Sequence, residues 1–341
     1  MKVAAITGRR SAVVVNRPEP HAAADIVKVQ VLVAPACTEW RQYRDGETTE
    51  ALGHEAAGVV VDAAGSLRVR EGDRIVVMPQ HGCGRCALCQ AGDHIHCCNQ
   101  RDVIAETGSE TGTATYGQFV IKPDWLLLPV PDDVSLVHAS LACCALGPTF
   151  GAMERMRVDG LDTVLVSGCG PVGLGALVNA AVRNARAIAL EPHPYRAELA
   201  RALGAAAVVD PTAFDALEQI RELTGGHGAD ASIETSGVSS AAPLLIEASR
   251  RRGRIAFNSW SGTIEVNDLV ARGLELHGCW HWNHQRDGER MFETIRRARP
   301  LLDQLVTHRF PLDDVAAAWE RQLTGECGKV LLFPWGEDAA A

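Results

Sequence analysis

Four cysteines, Cys83, Cys86, Cys89 and Cys97, stand two, two and seven residues apart in the stretch HGCGRCALCQAGDHIHC. That spacing can close four thiolates around one tetrahedral ion, and a zinc held by four cysteines has no open position, so the expected site is structural. Gly82, Gly84 and Gly92 let the loop fold back on itself. His94, His96 and Cys98 lie among them and are surplus to a complete set. Two disulfides would use the same residues but need an oxidising compartment.

A second set is scattered: Cys37 beyond a β-branched run, His54 with Glu55 in LGHEAAG, and Cys144 in LACCALGPTFGA. Singly, a cysteine after a strand is usually a small buried hydrophobe and a histidine a satisfied polar group. Together they supply two thiolates and an imidazole. A zinc with three such ligands keeps a fourth position for water or an alcohol and lowers its pKa toward neutrality. Glu55 can order the outer shell of such a metal or ligate it transiently.

The third motif binds phosphate. Gly168, Gly170 and Gly173 follow the apolar run Thr163 to Ser167 directly and open a helical pattern with Pro171 and Val172. The first glycine permits a tight turn, the second lets the backbone approach a pyrophosphate, and the third lets helix and strand pack closely. Glu191, 18 residues beyond Gly173, closes the next strand, where a carboxylate accepts from adenosine ribose hydroxyls. Its charge repels a 2′-phosphate, so the expected cofactor is NAD. Arg196 either lies over the adenine and ribose or is an exposed helix arginine.

What positions these groups follows from the rest of the chain. Its 341 residues suggest two domains, and 11 cysteines with no signal-peptide pattern at the start suggest reduced thiols in the cytoplasm. No apolar run is long enough to cross a bilayer, which points to a soluble protein without a membrane partner. A net charge of −9 argues against nucleic acid or anionic membranes as partners. Up to about Leu146 the chain reads as β-rich, with strands near Val27 to Val33, Gly58 to Asp62 and Arg74 to Met78. From Thr163 short apolar strands alternate with helical patterns, which means βαβ units and a parallel sheet. A helix over Glu289 to Arg299 and a strand over Lys329 to Phe333 should complete the first domain.

With these motifs the sequence resembles the zinc-dependent alcohol dehydrogenases of the medium-chain dehydrogenase/reductase superfamily. The resemblance rests on Gly53 to Glu55, the four-cysteine lobe, Gly168 with Glu191, and the endings THRFPLDDVAAAWE and GKVLLF. It implies an α/β fold: a GroES-like partly open β-barrel catalytic domain over 1–148, completed by 285–341, and a Rossmann doubly wound parallel-sheet domain over 149–284. It also implies two zinc ions per subunit, one catalytic on Cys37, His54 and Cys144 (preferred over Cys143) and one structural, with NAD(H) as cofactor. Subunits would pair as a homodimer or homotetramer, and Trp280 to His284, at the end of the Rossmann sheet, would pack in that interface.

One departure stands out. Where the family usually has a Ser or Thr that passes on the alcohol proton, this chain has Glu39, with Trp40 and Gln42 nearby. Glu39 is therefore a candidate general base, with Thr38 as the competing relay. Arg250, Arg251, Arg252 and Arg254 are expected at a solvated helix C-terminus after Ala241 to Arg250. The expected activity is hydride transfer between NAD and a secondary alcohol or polyol/sugar-type hydroxyl, giving a ketone reversibly. A primary alcohol and aldehyde pair is the alternative within the fold. A redox-silent zinc- and nucleotide-binding protein is the alternative outside it.

Overall fold

A computed structural model describes residues 1–340. In chain order the strands are β1 (Lys2–Gly8), β2 (Ser11–Asn16), β3 (Ile26–Pro35), β4 (Ala56–Asp62), β5 (Arg74–Val77), β6 (Phe119–Pro123), β7 (Leu127–Pro129), β8 (Thr163–Ser167), β9 (Arg186–Leu190), β10 (Ala207–Val209), β11 (Ala229–Glu234), β12 (Ser249–Phe257), β13 (Glu275–Gly278), β14 (Val306–Pro311) and β15 (Lys329–Phe333). They fall into two compact units, one of Met1–Cys143, Asn283–Arg296 and Val306–Ala341, the other of Cys144–Trp282 and Arg297–Leu305.

In the first unit one sheet runs β14-β15-β3-β4-β5-β7, with β6 also on β3. β3 is central because its sequence, IVKVQVLVAP, is β-branched at half of its positions and buried along most of its length. It pairs antiparallel with β4, β6 and β15. Every residue of β15, KVLLF, is buried. The core of this unit gathers Val27, Val29 and Val31 of β3 with Leu52, Val330 and Leu332 around Trp319. The Trp319 ring sits 5.1 Å from that of Tyr43 and 6.1 Å from that of Tyr116.

The second unit holds a six-stranded sheet in the order β10-β9-β8-β11-β12-β13, every pair parallel. Counted within the unit this is 3-2-1-4-5-6, the doubly wound order whose direction reverses beside the first strand. β8 and β9 read as continuous apolar runs because helices cover both faces of such a sheet. The helix Pro171–Val182 carries Gly175, where a Cβ would lie 1.8 Å from the Ala145 carbonyl oxygen, so helix and neighbouring chain meet closely.

Three expectations need correction. The helix Ala241–Ala248 stops before the arginine run, and Arg250 to Arg254 belong to β12 instead of a helix end. There Arg250 Nε meets Asp230 Oδ1 at 2.6 Å, and Arg254 donates to Asp162 and to the Met156 carbonyl at 2.5 Å. Two of these arginines are thus lashed across the sheet, because Asp162 and Asp230 give them partners that water would otherwise supply. The late helix runs His284–Leu305, longer than Glu289 to Arg299, because the Asn283 side chain accepts from the Arg286 N–H at 3.0 Å and starts it earlier. Residues 280–284 do not extend the Rossmann sheet, since β13 ends at Gly278. Trp282 is buried against Phe150, whereas Trp280 is partly exposed and meets Trp260 edge to face.

Candidate active site and metal centres

The cysteine lobe lies between β5 and β6. Cys83, Cys86, Cys89 and Cys97 have their sulfurs all within 4.8 Å of one another. Cys83 and Cys89 are 4.0 Å apart and Cys86 and Cys97 3.9 Å, far beyond a disulfide bond. A tetrahedron of thiolates about 2.3 Å from zinc has edges of about 3.8 Å, so the donor set fits the ion closely. Backbone N–H groups of Cys83 and Asn99 point at the Cys97 sulfur, and that of Cys86 at Cys83. The N–H groups of Arg85 and Cys86 bring the Cys83 thiol down to about 6, toward the thiolate that a metal needs. Asn283 and His284 buttress the lobe, which sequence reasoning missed. Asn283 Nδ2 donates to the Ala91 carbonyl at 2.6 Å, and the His284 ring lies 5.2 Å from that of His94. Gly92, at φ +83, leaves the space that Asn283 fills.

The second set assembles at the end of β3. Cys37, His54 and Glu55 each offer a ligand atom, and these atoms lie within 4.8 Å of one another. Two segments of chain bring them there. Cys37 follows β3, its N–H donated to the Tyr116 hydroxyl at 3.1 Å and its carbonyl accepting from Gln322 Nε2 at 3.1 Å. His54 follows Gly53, whose φ of +86 favours glycine; a Cβ there would also strike the Tyr116 ring at 2.4 Å. Cys144 stands one peptide bond beyond Cys143, at which this unit's longest segment ends, and both thiols are buried in the turn 141–146.

Glu39 takes a different place from that of a free base. Its Oε1 lies 2.7 Å from His54 Nδ1, and its Oε2 accepts from the Tyr116 hydroxyl at 2.7 Å. Burial by itself would raise this carboxyl, but His54 and Tyr116 more than offset that and hold it at about 2. Thr38, by contrast, is exposed. A carboxylate on Nδ1 fixes the tautomer that leaves the Nε2 lone pair for a metal. Glu55 faces away from water altogether. Its Oε1 accepts from Lys329 Nζ at 2.6 Å, with both side chains fully buried. Burial raises Glu55 to about 7 against the opposing pull of Lys329. Neither Tyr116 nor Lys329 announces itself in the sequence: their partners lie 77 and 274 residues away.

In the second unit Gly168 takes φ +84 immediately after β8, and a Cβ there would lie 2.6 Å from Ser236 Cα. At Gly173 a Cβ would lie 1.8 Å from the Gly168 carbonyl oxygen, the close helix-to-strand approach expected of a third glycine. Gly170 caps the helix that Pro171 and Val172 begin, and a Cβ on it would meet no protein atom within 4 Å. That open ground over a helix N-terminus suits a pyrophosphate. Glu191, after β9, lies against the same turn: its oxygens accept from the Cys169 N–H at 2.7 Å and the His193 N–H at 2.9 Å. Arg196 is half-buried in the helix Pro194–Ala202.

Residues 23–132 match the family model of the alcohol dehydrogenase GroES-like domain, and residues 171–297 that of the zinc-binding dehydrogenases. The chain is 30% identical over 309 residues to L-threonine 3-dehydrogenase of Bacillus velezensis, covering 87% of this chain and 85% of that one. This chain belongs to the zinc-type alcohol dehydrogenases of the medium-chain dehydrogenase/reductase superfamily. It is 32% identical to erythritol/L-threitol dehydrogenase of Mycolicibacterium smegmatis over 84% of this chain and 81% of that one. Among solved structures, an NAD-dependent alcohol dehydrogenase superposes with a TM-score of 0.79 at 26% identity, covering 98% of this chain and 99% of that one. The fold is accordingly the GroES-like domain with a Rossmann-like parallel sheet, and the protein is a dehydrogenase of zinc-type alcohol dehydrogenase kind. No helix among the described residues is long and apolar enough to cross a membrane.

Proposed function

We propose that this alcohol dehydrogenase interconverts a secondary or polyol-type hydroxyl and its ketone, with NAD as the hydride acceptor and two zinc ions per subunit. The observation that carries the reading is the gathering of Cys37, His54 and Glu55 within 4.8 Å, with Glu39 placed to fix the His54 tautomer. In this reading Cys37, His54 and Cys144 hold the reactive zinc, and Cys83, Cys86, Cys89 and Cys97 hold the structural one. The bound groups supply a Lewis acid that eases loss of the hydroxyl proton and an acceptor for the hydride. The chain's own residues do the rest. Glu39 orients His54 and is a positioning residue; both of its oxygens are engaged, which favours this role over the base considered from sequence. Thr38, exposed beside it, is the residue left to pass the proton outward. Glu55, tethered by Lys329, keeps a second carboxylate beside the ligand atoms.

Gly168, Gly170, Pro171, Val172 and Gly173 receive the pyrophosphate, Glu191 the adenosine ribose, and Arg196 the adenine side. Glu191 carries the preference for NAD over NADP. The substrate class draws support from relatives named for L-threonine and for erythritol and L-threitol. Catalysis and both metals are assigned to residues 1–148 with 285–341, cofactor binding to residues 149–284, and subunits are expected to pair as dimers or tetramers. Metal analysis together with reduction of NAD and NADP over a panel of secondary alcohols, polyols and primary alcohols tests the whole. Two zinc per chain and NADH formed from a secondary hydroxyl are expected. A single zinc per chain with no NADH from any alcohol would refute it and favour the redox-silent alternative.

A further inference from the structure

We infer that Tyr116 is a positioning residue of the Cys37 and His54 metal site, its hydroxyl fixing the two ligand-bearing segments against each other. The inference rests on the zinc assignment proposed above. Tyr116 is buried, in a bend shortly before β6, far in sequence from either ligand. Its hydroxyl accepts the Cys37 N–H at 3.1 Å and donates to Glu39 Oε2 at 2.7 Å, while the other Glu39 oxygen faces His54 Nδ1 at 2.7 Å. One oxygen atom therefore joins the backbone of the first ligand to the carboxylate that orients the second. The ring completes the joint. It occupies the ground that only a glycine at position 53 leaves free, directly before His54, and it packs toward Trp319 in the core.

The chemistry explains why a hydroxyl is needed. A phenol can accept from an N–H and donate to a carboxylate at once, whereas a phenylalanine of the same shape can do neither. Without that hydroxyl the Cys37 N–H loses its acceptor, and Glu39 loses the donor opposite His54. Glu39 then gains freedom to swing, and the His54 ring is less firmly oriented for a metal. Partners one shell out from a metal ligand are typically worth 10- to 100-fold in metal affinity.

The four-cysteine lobe supplies an internal control, because the Tyr116 hydroxyl bonds to Cys37 and Glu39, which stand outside that lobe. Zinc release to a chromophoric chelator from the purified zinc-loaded protein should show two phases, one for each ion. In Tyr116→Phe the faster phase, from the Cys37 and His54 site, should accelerate about 10- to 100-fold while the lobe phase keeps its wild-type rate. Cobalt in the same site should show altered d–d bands in Tyr116→Phe, a signature that loss of packing alone would not give. Wild-type rates for both phases and an unchanged cobalt spectrum would overturn the inference. Should Tyr116→Phe lose both ions through misfolding, Glu39→Gln, which leaves the ring in place, goes through the same measurement. Acceleration confined to the one site supports the joint, and an unchanged rate overturns it. If the wild-type protein itself releases only one zinc, it is the two-zinc assignment that fails, a result distinguishable from either of these.

Discussion

Two glycines three residues apart should fail in opposite ways when each gains a methyl group. At Gly173 a Cβ would sit 1.8 Å from the Gly168 carbonyl oxygen and 2.8 Å from Thr235 Oγ1. The first of these is backbone at the end of a buried strand and cannot yield cheaply, so Gly173→Ala should destabilise the fold by about 3 kcal/mol or more. At Gly170 the Cβ meets nothing within 4 Å and the backbone φ of −68 suits any residue. Alanine is a somewhat poorer helix cap than glycine but loses less chain entropy on folding, and the two effects nearly cancel, leaving stability within about 1 kcal/mol of wild type. The new methyl nevertheless stands on the ground assigned to the pyrophosphate. An intrusion of one methyl into a fitted contact costs about 1–3 kcal/mol, which is about 5- to 150-fold in the dissociation constant for NADH. Thermal unfolding and a fluorescence titration with NADH on both variants separate the two effects. Gly170→Ala with wild-type stability and wild-type NADH affinity would refute the placement of the pyrophosphate over this helix end.

Further outcomes follow from other parts of the molecule. Replacing Lys329 with Met leaves Glu55 as a fully buried group without its cation, which should cost about 3–5 kcal/mol in denaturant unfolding, and Lys329→Met with Glu55→Gln should recover much of it. Glu191→Ser should weaken NAD binding more than NADP binding; equal weakening of both would remove Glu191 from the ribose site. Burial holds the His284 ring at about 4, against the Trp125 carbonyl that it faces at 2.9 Å. Its folded value lies below the unfolded value of 6.5, so the stability it contributes is present above pH 6.5 and is lost as pH falls toward 4, about 2.5 units or about 3 kcal/mol in all. His284→Gln, which can still donate to that carbonyl, should lose about 2 kcal/mol less than wild type between pH 7 and pH 5 in urea unfolding. Parallel losses in the two proteins would show that His284 does not titrate there.

Much of the chemistry was legible in one dimension because it is local. Four cysteines within fifteen positions stay within reach of one another wherever the rest of the chain lies, since the loops between them are short. Three glycines on a strand-to-helix turn carry their geometric demands with them, and Gly168 and Gly173 meet those demands through contacts within that turn and the strand beside it. Short apolar runs alternating with helical patterns likewise forced a parallel sheet, because each run could be buried only between layers of helix.

What the tertiary structure decided was which polar groups satisfy one another across long separations. Glu39, read from its position as a candidate base, became the partner of His54 because β3 and the segment before β4 converge there. Arg250 and Arg254, read as a solvated helix end, found Asp230 and Asp162 once the strand formed. Tyr116 and Lys329 acquired their partners only from neighbours that folding supplied, since a hydroxyl or an ammonium has no preferred partner until burial removes water and leaves few acceptors within reach. Residue type and spacing determined which donor sets and which glycine turn this chain carries. Burial and long-range hydrogen bonding decided how the ligands are aimed.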